Sequence, residues 1–258
     1  MTTEVRGLII RTVDIKESDR LVTIFTEEHG AVTAMARGAR SLKSRKLAAT
    51  LQFCYGRYVL YGQGDKFIIK EAELIENFFD IRQSIEGLAL ANYIAEVLSD
   101  VAVEEAEQDL LRLALNSLYA ISKGLYSPEK IKAVFEIRAV SILGFMPSVL
   151  NCHLCDEKSG DFFFDIMGGI IECRSCHEKR EKSRAQHADP HETHILCILS
   201  EGAKIALGYA IYSPLERIFS FNISSEDMRL FSKAAEEYIL NQMGHSYRSL
   251  DFYKSVMR

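Results

Sequence analysis

Four cysteines are spaced to do chemistry together. Cys152-His153-Leu154-Cys155 is followed, after seventeen residues, by Cys173-Arg174-Ser175-Cys176. Two C-x2-C knuckles at this separation let four thiolates meet one Zn²⁺ tetrahedrally at about 2.3 Å. Between them, Phe162-Phe163-Phe164-Asp165-Ile166 and Ile170-Ile171-Glu172 flank Gly168-Gly169 and predict a hairpin that returns the second knuckle to the first. A redox couple is the alternative use of a C-x-x-C pair, but it normally occurs singly at a helix start. A complete Cys₄ shell leaves no position for an activated water, so the expected Zn²⁺ is one structural ion on Cys152, Cys155, Cys173 and Cys176. His153 and His177 flank the knuckles as possible replacement ligands, expected instead at the surface, and Cys54 and Cys197 are expected as small buried residues.

The second chemically marked stretch is Arg37-Gly38-Ala39-Arg40-Ser41-Leu42-Lys43-Ser44-Arg45-Lys46, five cations without an acid. Long cationic side chains attract phosphate, while small residues between them leave backbone N–H groups and the Ser41 and Ser44 hydroxyls free to meet phosphate oxygens. The same pattern also suits a solvated loop. What surrounds the stretch decides its meaning.

Up to about Glu76 the pattern is that of strands: 5–11, 20–26, 31–36, 55–61 and 67–73 are rich in β-branched and aromatic residues, with turn signals at His29-Gly30 and Gly62-Gln63-Gly64-Asp65. Five short strands in about 75 residues predict a small closed barrel of OB-fold type, an SH3-like barrel being the alternative. Loops and one face of such barrels commonly bind oligonucleotides, which favours phosphate contact by the basic stretch. Phe53, Tyr55, Arg57, Val59 and Tyr61 share one side of a strand and are expected mostly in the barrel core. Because the pattern does not say which face is inside, Tyr55, Tyr58 and Tyr61 are candidate stacking residues.

From about Ile81 the period changes to 3.6, with Leu90, Ile94, Val97 and Val101 in one stripe and Leu111, Ala114, Leu118 and Ile121 in another. Ser127-Pro128-Glu129 starts a further helix, continued by Ile131, Val134, Phe135, Arg138 and Ile142 and ended by Gly144 and Pro147. Residues 195–209 have a helical pattern. Ser224 and Asp227 form a capping box before Met228, Phe231, Ala235 and Tyr238, with Gly244 at the C-terminal cap. The expected division is an OB-fold DNA-binding domain over 1–79 and a helical domain over 80–258 that carries the zinc element at about 150–180.

Of 258 residues, 48% are hydrophobic and 26% charged, the composition of an ordinary globular protein. Residues 1–80 hold 12 Lys and Arg against 11 Asp and Glu, and the remainder 19 against 25, so the formal charge of −5 resides in the second part. No apolar run approaches the ~20 residues of a membrane span, and Met1-Thr2-Thr3-Glu4-Val5-Arg6 is not a secretory start. A cytoplasmic protein is expected.

Taken in order, Gly7-Leu8-Ile9-Ile10, Glu17-Ser18-Asp19-Arg20-Leu21-Val22-Thr23-Ile24-Phe25-Thr26, Gly30, Ala36-Arg37-Gly38-Ala39-Arg40 and Lys43-Ser44 resemble the N-terminal pattern of the RecO recombination mediators. The Cys₄ element within a helical region and the closing Ser249-Leu250-Asp251-Phe252 are similar to zinc-retaining members. The resemblance covers nearly the whole chain. It implies an N-terminal OB-fold, a helical second domain and no enzymatic turnover. It also implies binding of single- and double-stranded DNA, annealing of complementary strands, contact with the acidic C-terminal tail of single-stranded DNA-binding protein, and cooperation with RecR to load RecA in the RecF pathway of DNA repair. Arg37, Arg40, Lys43, Arg45 and Lys46 are the DNA contacts it implies. Arg112, Lys132 and Arg138 have the pattern of exposed helical cations that could meet the acidic tail.

Two other classes compete. A zinc-containing transcription regulator needs a recognition helix that presents Arg, Asn or Gln to base edges, and no helical pattern here is obviously basic. A zinc deaminase needs H-x-E with P-C-x-x-C, a context that His153 and His191-Glu192 lack. Clustered carboxylates for a nuclease and a G-x-x-x-x-G-K loop for ATP are not found in the sequence.

Overall fold

The computed structural model describes residues 2–63, 66–101, 108–184 and 195–257. These form two compact units, one of 1–125 with 247–258 and the other of 126–246. Gly64-Asp65 of the expected turn and the His191-Glu192 pair lie outside the described residues.

The first unit is built on five strands, β1 (Thr2–Ile15), β2 (Asp19–Thr26), β3 (Ala31–Ala36), β4 (Cys54–Gln63) and β5 (Lys66–Asn77). They close in the order β1-β2-β3-β5-β4, antiparallel except for a short parallel β3–β5 join in which Ala34 meets Phe67 and Met35 meets Ile68. This is the expected OB-like barrel. Alternation sends Val5, Ile9, Val22, Ile24, Ala34, Tyr58, Leu60 and Ile69 into its core, all at most 6% exposed. On β4 the inside face is therefore that of Tyr58 and Leu60. Tyr55, Arg57, Val59 and Tyr61 face outward, against the expectation that they line the core, and only Phe53 of that set is buried. Tyr58 is lost as a stacking candidate: its hydroxyl donates to the Ala49 carbonyl at 2.8 Å inside the barrel.

After a short 3-10 turn at Phe79–Gln83 come α1 (Ile85–Asp100) and α2 (Gln108–Ser122), whose apolar stripes are the two read from the period. Ser84 caps α1 by accepting the Gly87 N–H.

The second unit begins with α3 (Pro128–Ile142), capped by Ser127. The hairpin β6 (Phe162–Asp165) and β7 (Ile170–Cys173) forms as expected and runs directly into α4 (Arg174–Arg184). Its turn is held by Asp165, whose carboxylate accepts the Met167 and Gly168 N–H groups, and by Gly169 at φ 63°. A Cβ at Gly169 would lie 2.7 Å from the Tyr238 hydroxyl. The helix expected over 195–209 begins as a strand. Leu196–Leu199 forms β8, antiparallel to β6 with Phe162 opposite Leu199, and α5 (Glu201–Tyr212) starts only after the Ser200 cap. Local pattern could not show this, because the strand exists through its pairing with residues some 30 positions earlier. α6 (Ser225–Met243) has the expected capping box and ends at Gly244, which takes φ 74°. Replacing Ser224 by alanine removes the acceptor of the Asp227 N–H and is expected to cost about 1 kcal/mol, read as a lower urea midpoint with unchanged slope.

α3 is buried on nearly every side. Lys132, expected as an exposed cation, is 3% exposed, with its ammonium 3.0 Å from Glu136 and 2.8 Å from Glu236 on α6. Burial works against the charged lysine, but the two carboxylates outweigh it and hold its pKa above the usual value. Arg138 is half-buried, and of the three cations expected to be exposed only Arg112, paired with Asp109, is so.

The chain closes with α7 (Arg248–Val256), which belongs to the first unit. Its first turn is fixed to α1 by Glu96, which accepts the Ser249 N–H, and Tyr247 just before it donates to Asp100.

Candidate metal centre and nucleic-acid interface

The four knuckle cysteines come together. The Cys152–Cys155 turn closes with the Asp156 N–H on the Cys152 carbonyl, Asp156 taking φ 60°, and docks on the hairpin through His153 N–H to the Ile171 carbonyl at 3.0 Å. Cys173 ends β7 and Cys176 lies in the first turn of α4. All four Sγ atoms lie within 4.8 Å of one another, and Cys155 and Cys173 are 3.6 Å apart. Tetrahedral thiolates about 2.3 Å from a common ion sit roughly 3.8 Å apart, whereas a disulfide needs about 2.05 Å. The arrangement fits a metal ion, and the cysteines are free.

Electrostatics act unequally on these thiols. Burial alone raises the Cys173 pKa, yet hydrogen bonds from Ser175, from the Cys176 N–H and from the neighbouring thiols bring it down to about 6. Hydrogen bonds with Cys155 and Cys173 in turn push Cys176 up to about 12. Cys173 therefore ionises more readily than Cys155 and Cys176.

His153 and His177 do not join the cluster. They face Glu172, 1% exposed, with His153 Nε2 at 3.4 Å and His177 Nδ1 at 3.7 Å, while Arg180 binds the same carboxylate at 2.8 Å and His177 stacks on Phe163. This polar knot ties α4 to β6 and β7 beside the thiols. Cys54 and Cys197 are buried as expected, the latter on β8.

In the first unit, 37–53 link β3 to β4 as a run of turns. Gly38 opens it at φ 63° with its N–H on the Asp19 carboxylate, and Ala39 and Ala49 are buried in the barrel core. The five cations part into two groups. Arg40 pairs with Asp14 at 3.2 Å and donates to the Lys16 and Glu17 carbonyls. The hydrogen bond from Arg20 lowers the Asp14 pKa, and the charges of Arg20 and Arg40 add to it. Lys46 reaches the Ile69 carbonyl at 3.3 Å, and burial lowers its pKa. These two side chains pin the loop to the barrel. Arg37, Lys43 and Arg45 are exposed, and among the described residues none has an ion-pair partner. A preformed loop thus presents three cations to solvent.

Sequence reading missed Lys70, which reaches this neighbourhood because β5 closes the barrel beside β3; its strand pattern carries no sign of that. Of the tyrosines, Tyr55 is half-buried with its hydroxyl on Glu27, and Tyr61 is exposed.

The family model described as "Recombination protein O N terminal" matches residues 1–78, and that described as "Recombination protein O C terminal" matches 82–251. The chain belongs to the RecO family. It is 34% identical to a DNA repair protein RecO of Acetivibrio thermocellus over 98% of this chain and 96% of that protein. It is 30% identical to a RecO protein of Listeria monocytogenes, with 97% and 93% covered, and 29% identical to one of Clostridium kluyveri, with 98% and 93% covered. RecO membership supports a role in DNA repair, and among the described residues no helix is long and apolar enough to cross a membrane.

Proposed function

We propose that this RecO-family chain is a non-catalytic, DNA-binding recombination mediator of the cytoplasm. It binds single- and double-stranded DNA, anneals complementary strands, and helps RecR load RecA onto single strands coated by single-stranded DNA-binding protein. The barrel of residues 1–79 is the DNA-binding domain and 80–258 the helical region, of which α1, α2 and α7 belong to the barrel's compact unit. Cys152, Cys155, Cys173 and Cys176 hold one structural zinc, whose part is to fix the turn and α4 rather than to activate water.

The observation that carries the reading is the loop. A closed barrel holds it in place with Arg40 and Lys46 while Arg37, Lys43 and Arg45 point into solvent, a phosphate-binding arrangement without base-reading geometry. A regulator that reads duplex sequence is not favoured. The most basic helix, α4, spends Arg174 on Asp161 and Arg180 on Glu172, and interleaves Glu178 and Glu181 with its lysines.

The test is to titrate the full chain with random-sequence single strands and with a peptide of the acidic tail of single-stranded DNA-binding protein. Binding of both, the first falling steeply with salt and indifferent to sequence, is expected. Sequence-dependent duplex binding without peptide binding would favour the regulator.

A further inference from the structure

The outer face of the barrel beside the basic loop carries a row of side chains that the phosphate contacts do not use. Met35 on β3 lies opposite Ile68 on β5, Ile68 opposite Tyr61 on β4, and Tyr61 opposite Thr2 on β1. Their chain neighbours Ala34, Ala36, Leu60 and Ile69 are buried in the core, so alternation turns Met35, Ile68 and Tyr61 outward. Met35 and Ile68 are half-buried, and Tyr61 is 50% exposed.

Cations surround this row. The Lys70 ammonium stands 5.0 Å from the centre of the Tyr61 ring. Lys46 is anchored on the carbonyl of Ile69, the residue before Lys70, and the exposed Arg37 follows Met35 by two positions, just past the end of β3. An exposed aromatic ring beside aliphatic side chains, rimmed by positive charge, suits an unpaired nucleobase. The base stacks on the ring while flanking phosphates meet the cations. A base pair inside a duplex does not suit it, because both of its faces are covered by neighbours in the stack.

We propose that Tyr61, with Ile68 and Met35 beside it, is a stacking platform for an unpaired base of single-stranded DNA, and that Lys70 exchanges the Tyr61 ring for a phosphate as the base arrives. This rests on the DNA-binding reading above and adds to it a preference for single strands. It places the strand's path over β3, β5 and β4, from the loop toward Tyr61.

The chain contains no tryptophan, so Tyr61→Trp introduces a lone reporter at the site. An oligo-dT strand is expected to quench its emission, and an abasic strand of equal length is not. Tyr61→Ala should lose about ten-fold in affinity for oligo-dT, with no change in affinity for the abasic strand or in salt slope, and Tyr61→Phe should bind as wild type. If Tyr61→Ala binds oligo-dT as wild type and the Tyr61→Trp emission does not respond at saturation, the platform is refuted while loop binding stands. A wild-type chain that binds neither strand refutes the DNA-binding reading and the platform with it. Equal losses by Tyr61→Ala on both strands would mark a general disturbance of the barrel and also overturn the proposal.

Discussion

Replacing Cys173 by serine is expected to take bound zinc from one ion per chain to none and to lower the melting temperature of the second unit by about 10 °C or more. The four thiols converge within 4.8 Å on the turn after Cys152, the end of β7 and the start of α4, so one ion would cross-link all three elements. Structural zinc contributes its binding free energy directly to folding, so losing it costs at least several kcal/mol, and each kcal/mol shifts the midpoint of a unit this size by at least about 2 °C. Acid should act in the same direction. Bound thiolates ionise below their free range, so their contribution is present at neutral pH and lost as pH falls far enough for protons to displace the metal. Cys197→Ala, buried on β8 away from the cluster, is the control and should keep its zinc. Metal content by mass spectrometry and a thermal melt decide the matter. A Cys173→Ser chain with full zinc and an unchanged melt would remove the site.

The second large effect concerns the loop. Alanine at Arg37, Lys43 and Arg45 together is expected to weaken single-strand binding about 100-fold near 0.1 M salt and to reduce the log–log salt slope by about 2, from roughly 0.7 per lost phosphate contact. The loss should be the same for every sequence. Melting temperature and zinc content should not change, because these side chains are exposed and hold nothing in place. Arg40→Ala should behave differently. It removes an ion pair to Asp14 and two carbonyl contacts that set the loop's shape, so its effect on binding comes with a change in loop order, visible as faster amide exchange over residues 38–50. The five cations that the sequence presents as equivalent are therefore separated by the structure into exposed side chains and loop anchors.

That separation shows what a sequence of this kind makes legible. Short-range patterns carried through: the paired knuckles, the hairpin across Gly168-Gly169, the capping box at Ser224 with its Gly244 stop, and five strands of barrel length. Each is set by residues within a few positions of one another. What pattern alone misplaced depends on pairing across the chain. β8 is a strand only because β6 offers it an edge; Tyr58 rather than Tyr61 faces the core because β4 closes on β1 and β5 in that register. Lys132 is buried because Glu236, 104 positions later, supplies a second carboxylate. Polar residues on a helix pattern are ordinarily outside, and only a distant partner reverses that. Lys70 illustrates the same point for the site, since nothing near it in sequence says that β5 runs beside the basic loop.

A mediator acting on coated single strands should speed their annealing. Complementary strands covered with single-stranded DNA-binding protein are mixed with the zinc-loaded chain, without ATP, and duplex formation is followed by energy transfer between end labels. The chain is expected to accelerate annealing, the triple variant at Arg37, Lys43 and Arg45 to lose most of the acceleration, and a coat protein lacking its acidic tail to abolish it on coated strands while naked strands still anneal. Absence of acceleration on both coated and naked strands, with zinc content and melting temperature intact, would contradict the mediator reading.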